Sequence, residues 1–235
     1  MESSKTILDV ISRRAESHPE AVAVLGVDGR QAITYLDLQH QIVRIAAALR
    51  ANHIGRADRV LTVFPNGLDA AVGFLGTTSC TTTVPLNSDL SRSEFAYSFK
   101  DLDAKALLVG RGLDTAAYAA ADECGVKRIE VPFPGQDMQF EGDAEDSAGD
   151  EGPMGDDVAL ILYTSGTTST PKRVPLTHAN LIASARNVAS GLALSSKDRC
   201  LNVMPLFHIH GLVAGLLASL VSGGSVVCAP GYDGS

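Results

Sequence analysis

The chain has 235 residues, 45% of them hydrophobic and 20% charged, with no Trp and a formal net charge of −8. This is the composition of an ordinary globular domain; no apolar run approaches the ~20 residues that span a bilayer, and no basic stripe or aromatic array points to nucleic acid. The acidity is local: residues 129–171 hold ten acidic residues and no Lys or Arg, which leaves 19 bases against 17 acids in the remainder. The opening residues MESSKTILDV lack the basic-then-apolar order of a secretory signal. Cys80, Cys124, Cys200 and Cys228 are scattered without a CxxC pair, as expected of reduced thiols in an intracellular protein.

In chain order, residues 4–17 predict an amphipathic helix with Ile7, Leu8, Ile11 and Ala15 on one face and Pro19 beyond its end. Residues 21–25 and 31–35 flank Asp28-Gly29, a hairpin signal. Thr34 is placed to cap a helix over residues 36–52, with Ile42, Ile45, Ala46 and Leu49 turned inward. Alternation follows: strand 59–64, helix 68–78, strand 81–85, then helix 91–102 opened by the capping box Ser91-x-x-Glu94. Strand 106–109, helix 113–124 and strand 127–131 come next. Residues 132–156 are rich in Gly, Pro, Asp and Glu and too poor in apolar groups to order themselves, so they predict an acidic flexible loop. Beyond it lie strand 158–163, a hydroxyl-rich loop, strand 173–176, a helix capped by Thr177 and running to about residue 192, strand 199–204, helix 212–221 and strand 225–228. Strands alternating with helices predict an α/β fold with a mostly parallel sheet covered on both faces.

The hydroxyl-rich loop carries the functional signal. Residues 163–175 read YTSGTTSTPKRVP, with four Thr, two Ser, Gly166 and Lys172 between positions 164 and 172. Hydroxyls and backbone N–H groups, one glycine that lets the backbone approach a ligand, and one mobile positive charge are what a polyphosphate needs. The loop is not the G-x-x-x-x-G-K-[ST] element of nucleotide hydrolases: Pro171 precedes the lysine, Arg173 follows it, and Pro175 forbids the helix that should come next.

This segment resembles instead the signature YTSGTTGxPKGV of the adenylate-forming (AMP-binding) superfamily, which includes the acyl-CoA synthetases and the adenylation domains of peptide synthetases. The chain departs from it at Ser169 and Arg173, where glycine is usual, and both changes remove backbone freedom. Residues 33–38 (ITYLDL), 75–87 (LGTTSCTTTVPLN) and 204–212 (MPLFHIHGL) resemble further elements of that family, in the expected order. Together with TSGTTSTPK and VPLTH they look closest to the oxalate-activating acyl-CoA synthetases of fungi and plants.

The resemblance implies layered, mostly parallel sheets flanked by helices, as in the N-terminal part of adenylate-forming enzymes, with residues 1–235 as the N-terminal portion of the AMP-binding domain. The family's remaining large-domain elements and its C-terminal lid are not found in this sequence, so the 235 residues alone are expected not to complete the reaction. It implies an acid–CoA ligase that uses ATP, Mg2+ held through the ATP phosphates, and coenzyme A as co-substrate on a small carboxylic acid. Thr164, Ser165, Gly166, Thr167, Thr168, Ser169 and Lys172 would hold the nucleotide. Lys172, His208 and His210 would take part in catalysis, with no protein-held metal. On an extended segment His208 and His210 would share a face; His178 reads as a helix-start residue, and Arg173 as facing solvent. Relatives of this kind occur in cytoplasm and peroxisomes. An adenylation domain that loads a carrier protein, and a non-catalytic ATP-binding fragment, are alternatives at this point.

Overall fold

The computed structural model describes residues 5–27, 32–132, 152–164 and 171–231. The elements run α1 (Ile7–Ser17), β1 (Val22–Gly26), β2 (Ala32–Thr34), α2 (Tyr35–Ala51), β3 (Arg59–Val63), α3 (Leu68–Thr78), β4 (Thr82–Pro85), α4 (Arg92–Asp101), β5 (Ala106–Gly110), α5 (Ala117–Cys124) and β6 (Lys127–Val131). The chain continues with β7 (Val158–Thr164), β8 (Lys172–Thr177), α6 (His178–Gly191), β9 (Arg199–Asn202), a π-helix (His210–Leu217), α7 (Ala218–Val221) and β10 (Ser225–Cys228).

The strands form two sheets, one ordered β2-β1-β10-β9 and the other β6-β5-β3-β4-β7-β8. Every pairing is parallel except β1 with β2 and β7 with β8, so the expected layered α/β fold with mostly parallel pairing is present, divided between two sheets. Among the described residues no helix is long and apolar enough to cross a membrane. The Asp28-Gly29 signal and residues 133–151 lie outside the described residues.

Alternation along the central strands assigns the faces of the larger sheet. Leu61, Val63, Leu107, Val109 and Ile161 turn to one side and pack with Phe95 and Phe99 of α4 and Ala117, Ala120 and Ala121 of α5. Val60, Ala106, Leu108, Leu160 and Leu162 turn to the other side, into a second core shared with α1, α2, α3, α6 and the smaller sheet. Helix α3 touches strands of both sheets and is buried around most of its circumference, from Leu68 through Ala71, Val72, Phe74 and Leu75 to Thr78. A helix in that position has no room for large side chains on every face. A Cβ on Gly76 would lie 2.5 Å from Ile45 Cδ1 and 2.8 Å from its Cβ, so the glycine is what lets α2 come so close.

Four hydroxyls at the end of α3 bond back to the helix's own carbonyls. Thr77 donates to the Gly73 carbonyl (2.7 Å), Thr78 to Phe74 (2.9 Å), Ser79 to Gly76 (2.6 Å) and Thr81 to Thr77 (3.0 Å). These side chains are therefore tolerated inside the core, where an unpaired hydroxyl is costly.

Local capping sets the helix starts. Thr6, Ser91 and Thr177 each form a full capping box with the residue three positions on, and Thr34 accepts the Asp37 N–H. Because Thr6 takes the Asp9 amide at 3.1 Å, α1 begins at Ile7 and not at residue 4. Helix α5 begins at Ala117, four residues after the expected start: Thr115 binds the Ser88 carbonyl at 2.9 Å and accepts the Ala117 N–H at 3.3 Å, which holds the preceding turn open. Strand β9 stops at Asn202, whose Oδ1 accepts the Met204 N–H at 3.2 Å and bends the chain away.

His178 heads α6, as expected of a helix-start residue, and joins two helices. It is 1% exposed, and its Nδ1 accepts the Ile7 N–H at 3.3 Å, which satisfies a free amide in the first turn of α1. Burial pushes the imidazole down to about 4, against the pull of Asp157 and Asp9 in the other direction. The folded state thus holds His178 neutral where the unfolded chain would protonate it. The stabilisation is complete above about pH 6.5 and is lost as pH falls towards 4, at about 1.4 kcal/mol per pH unit. Urea titrations between pH 7 and 5 should show that loss in the wild type and a flatter profile in His178→Asn; equal slopes would show that His178 does not titrate with folding.

Thr83, in β4, is fully buried, and its hydroxyl has no partner among the described residues. Thr83→Val keeps the shape and removes that group. The expected gain is about 1 kcal/mol, or about 2–4 °C in Tm for a chain of this size; a lower Tm would mean that the hydroxyl is satisfied in solution.

Candidate active site

Of the residues expected from sequence to hold a nucleotide, Thr164 and Lys172 stand at the end of the antiparallel pair β7–β8. Its last two rungs are Tyr163 opposite Arg173 and Thr164 opposite Lys172. Residues directly across an antiparallel ladder project from the same face, and successive rungs alternate. Thr164 and Lys172 therefore stand side by side on the face that Leu160 and Leu162 share, which is the side of the core between the sheets. Both are exposed, so the lysine ammonium and the threonine hydroxyl are open to a ligand. Ser165, Gly166, Thr167, Thr168 and Ser169 lie outside the described residues.

The opposite face of the hairpin corrects one expectation. Arg173 does not simply face solvent: its guanidinium Nη1 donates to the Asp101 backbone carbonyl at 3.2 Å, and its Nε lies 3.5 Å from Asp101 Oδ2. Tyr163 donates its phenol to the same carboxylate oxygen at 2.7 Å. Burial, and then the carboxylate beside it, push the Tyr163 phenol above its usual range, so it stays a hydrogen-bond donor. Sequence gave no sign of this link, because Asp101 lies 72 positions from Arg173.

The second element, residues 204–211, is anchored by two asparagines. Asn66 follows β3; its Oδ1 accepts the Leu206 N–H at 2.8 Å, and its Nδ2 donates to the carbonyls of Ala229 (3.0 Å) and Pro230 (3.1 Å). Asn202, 3% exposed, takes the Met204 N–H through Oδ1 and donates through Nδ2 towards the Gly211 carbonyl at 3.5 Å. Gly211 fits this turn because a Cβ there would lie 2.4 Å from the Pro205 carbonyl oxygen. Neither asparagine was identified from sequence, although Asn66-Gly67 a few residues after a strand is a recognisable turn dipeptide. Asp69 lies in the first turn of α3, and burial pushes its carboxyl up to about 6.

His208 and His210 are both exposed on this segment, but the extended backbone expected to put them on one face is absent. The chain is not extended there. It turns at residues 206–208, with the His208 N–H on the Pro205 carbonyl at 3.2 Å, and enters the π-helix at His210 two residues before the expected helix start. The His208 ring packs against Phe207 at 4.6 Å between centroids. Among the described residues no group of three His, Cys, Asp or Glu side chains converges to hold a metal ion.

Known proteins resemble this chain in sequence and in fold. The chain is 35% identical over 237 residues to a probable CoA ligase of Humulus lupulus, covering 96% of this chain and 44% of that protein. It is 35% identical over 231 residues to an oxalate–CoA ligase of Arabidopsis thaliana, covering 95% and 45%. Among solved structures, ATP-bound MatB from Rhodopseudomonas palustris superimposes with a TM-score of 0.81 at 25% identity, over 96% of this chain and 46% of that one. The chain thus spans about half the length of these relatives. The family model for AMP-binding enzymes matches residues 11–234, and the chain belongs to that family.

Proposed function

We propose that this chain forms the triphosphate-holding part of an AMP-forming acid–CoA ligase that acts on a small carboxylic acid, with oxalate as the acid. The observation that carries the reading is the hairpin tip: Thr164 and Lys172 are cross-strand partners, exposed on one face, at the two ends of a segment made almost wholly of Ser, Thr and Gly.

A carboxylate is a poor acyl donor because its oxygen leaves badly. In the proposed first step a carboxylate oxygen attacks the α-phosphorus of ATP, the bond to the bridging oxygen breaks, and pyrophosphate departs. In the second the thiolate of coenzyme A attacks the acyl carbon and AMP leaves. The protein contributes position and charge. Thr164, Ser165, Thr167, Thr168 and Ser169 offer hydroxyl and N–H donors to the β- and γ-phosphates, Gly166 permits close backbone approach, and Lys172 places a point charge on the oxygens that gain charge as pyrophosphate leaves. Mg2+, carried on the ATP phosphates, would neutralise part of their charge. His208 and His210, exposed where the chain enters the π-helix, offer imidazole donors to the second carboxylate of a dianionic acid. Similarity to the Arabidopsis oxalate–CoA ligase supports oxalate in particular.

Calorimetric titration of Mg-ATP into the 235-residue chain tests the nucleotide part. Lys172→Ala should weaken ATP binding about tenfold or more, equivalent to about 1.4 kcal/mol, with an unchanged Tm because Lys172 is exposed. An unchanged Kd would remove Lys172 from the phosphate site. The acid is tested in the enzyme carrying this chain by acid-dependent exchange of pyrophosphate into ATP. Oxalate should support the fastest exchange in a panel with ferulate, sulfoacetate and octanoate, and His208→Ala should raise KM for the acid more than for ATP. Fastest exchange with ferulate or octanoate would overturn the dianion reading.

A further inference from the structure

The sequence places Arg173 where the family signature has glycine, and the structure gives that arginine a partner. Asp101 ends α4, so its backbone carbonyl is one of those that no intrahelical N–H can reach. Arg173 takes that carbonyl at 3.2 Å and approaches the carboxylate at 3.5 Å, a cation at the negative end of a helix. Tyr163 binds the same carboxylate at 2.7 Å, and its ring lies 6.4 Å from that of Tyr97, one turn back on α4. One residue therefore holds both arms of the hairpin, at the rung next to Thr164 and Lys172. On this side Tyr163 and Pro171 border a cavity of about 430 Å³ between the hairpin and α4.

We propose that Asp101, Tyr163 and Arg173 form a positioning clamp that fixes the hairpin tip against the end of α4, so that Thr164 and Lys172 are presented to the triphosphate from the opposite face. The inference rests on the nucleotide reading above and adds residues that touch no phosphate. It gives Arg173 a role that a glycine cannot have. The clamp replaces the missing backbone freedom with a fixed base, which lowers the ordering cost of binding. With the Arg173 side chain 55% exposed, the ion pair itself adds little to global stability. Its effect should appear in local protection and in ligand affinity, not in Tm.

Two measurements on the 235-residue chain separate the clamp from the nucleotide reading. Hydrogen exchange without ligand should show amides at 163–164 and 172–173 exchanging about tenfold faster in Asp101→Ala and Arg173→Gly, with Tm within a degree or so of wild type and partial rescue in Arg173→Lys. Mg-ATP titration should show each single variant binding several-fold to tenfold more weakly. The double variant Asp101→Ala/Arg173→Gly should be no weaker than the worse single one, because residues acting through one contact are not additive. Unchanged exchange at the hairpin would overturn the clamp. So would wild-type ATP affinity in both single variants, or fully additive losses in the double. If wild type binds no ATP while the exchange difference is present, the nucleotide reading falls, and the positioning role falls with it.

Discussion

Helix α3 has to fit between two sheets, and most of what surrounds the candidate site follows from that constraint. A helix with a sheet on each side can offer no polar stripe to water, and this one meets the demand with small residues and with hydroxyls that bond back to its own carbonyls. Gly73 and Gly76 let Phe64 and Ile45 come to distances that a methyl group would not allow. The larger sheet and α2 are thereby drawn in against a single buried helix. The Thr77 and Thr78 hydroxyls are thus compatible with burial, since each finds a carbonyl within its own turn.

The two ends of α3 carry this packing outward. Its N-terminal approach is Asn66-Gly67, with Gly67 at φ +124°, a conformation open to glycine. That turn aims the Asn66 side chain at three backbone groups, two on the segment after β10 and one on residue 206. The histidine segment is therefore fixed to the core by side chain–backbone bonds and not by its own secondary structure. Asn202 repeats the device from the end of β9. Bonds of this kind contribute about 1 kcal/mol each, but here their value is positional. They set where the chain turns before His208 and where the π-helix starts, and so where two exposed imidazoles stand.

Much of the fold was legible because it is written in short periods. Strand β5 reads Ala106-Leu107-Leu108-Val109, and its alternate residues divide between the two cores. Caps at Thr34, Ser91 and Thr177 are local in sequence and were found there. Distant partners explain what was not legible. The chain around residues 204–210 looks extended until Asn66, some 140 positions earlier, is seen to hold Leu206. His178 looks like an ordinary helix-start residue until the Ile7 amide is placed on its ring. Arg173 looks solvent-facing because it stands where the family has glycine; Asp101 reaches it only through the docking of α4 on the sheet.

At the site itself, local pattern and long-range packing meet on one hairpin. The sequence of residues 163–175 names the chemistry, since hydroxyls, one glycine and one lysine suit a polyphosphate whatever the fold around them. The ladder supplies direction. Because rungs alternate, the pair that binds α4 and the pair that can meet a ligand cannot be the same pair, and adjacent rungs must serve the two purposes from opposite faces. A one-residue slip in β8 would turn Lys172 towards α4 and Arg173 towards the ligand side. The register is thus part of the candidate site. It is maintained by bonds to Asp101 on one face and by Leu160 and Leu162 in the core on the other, so the identity of Arg173 matters to the lysine beside it even though the two side chains point apart.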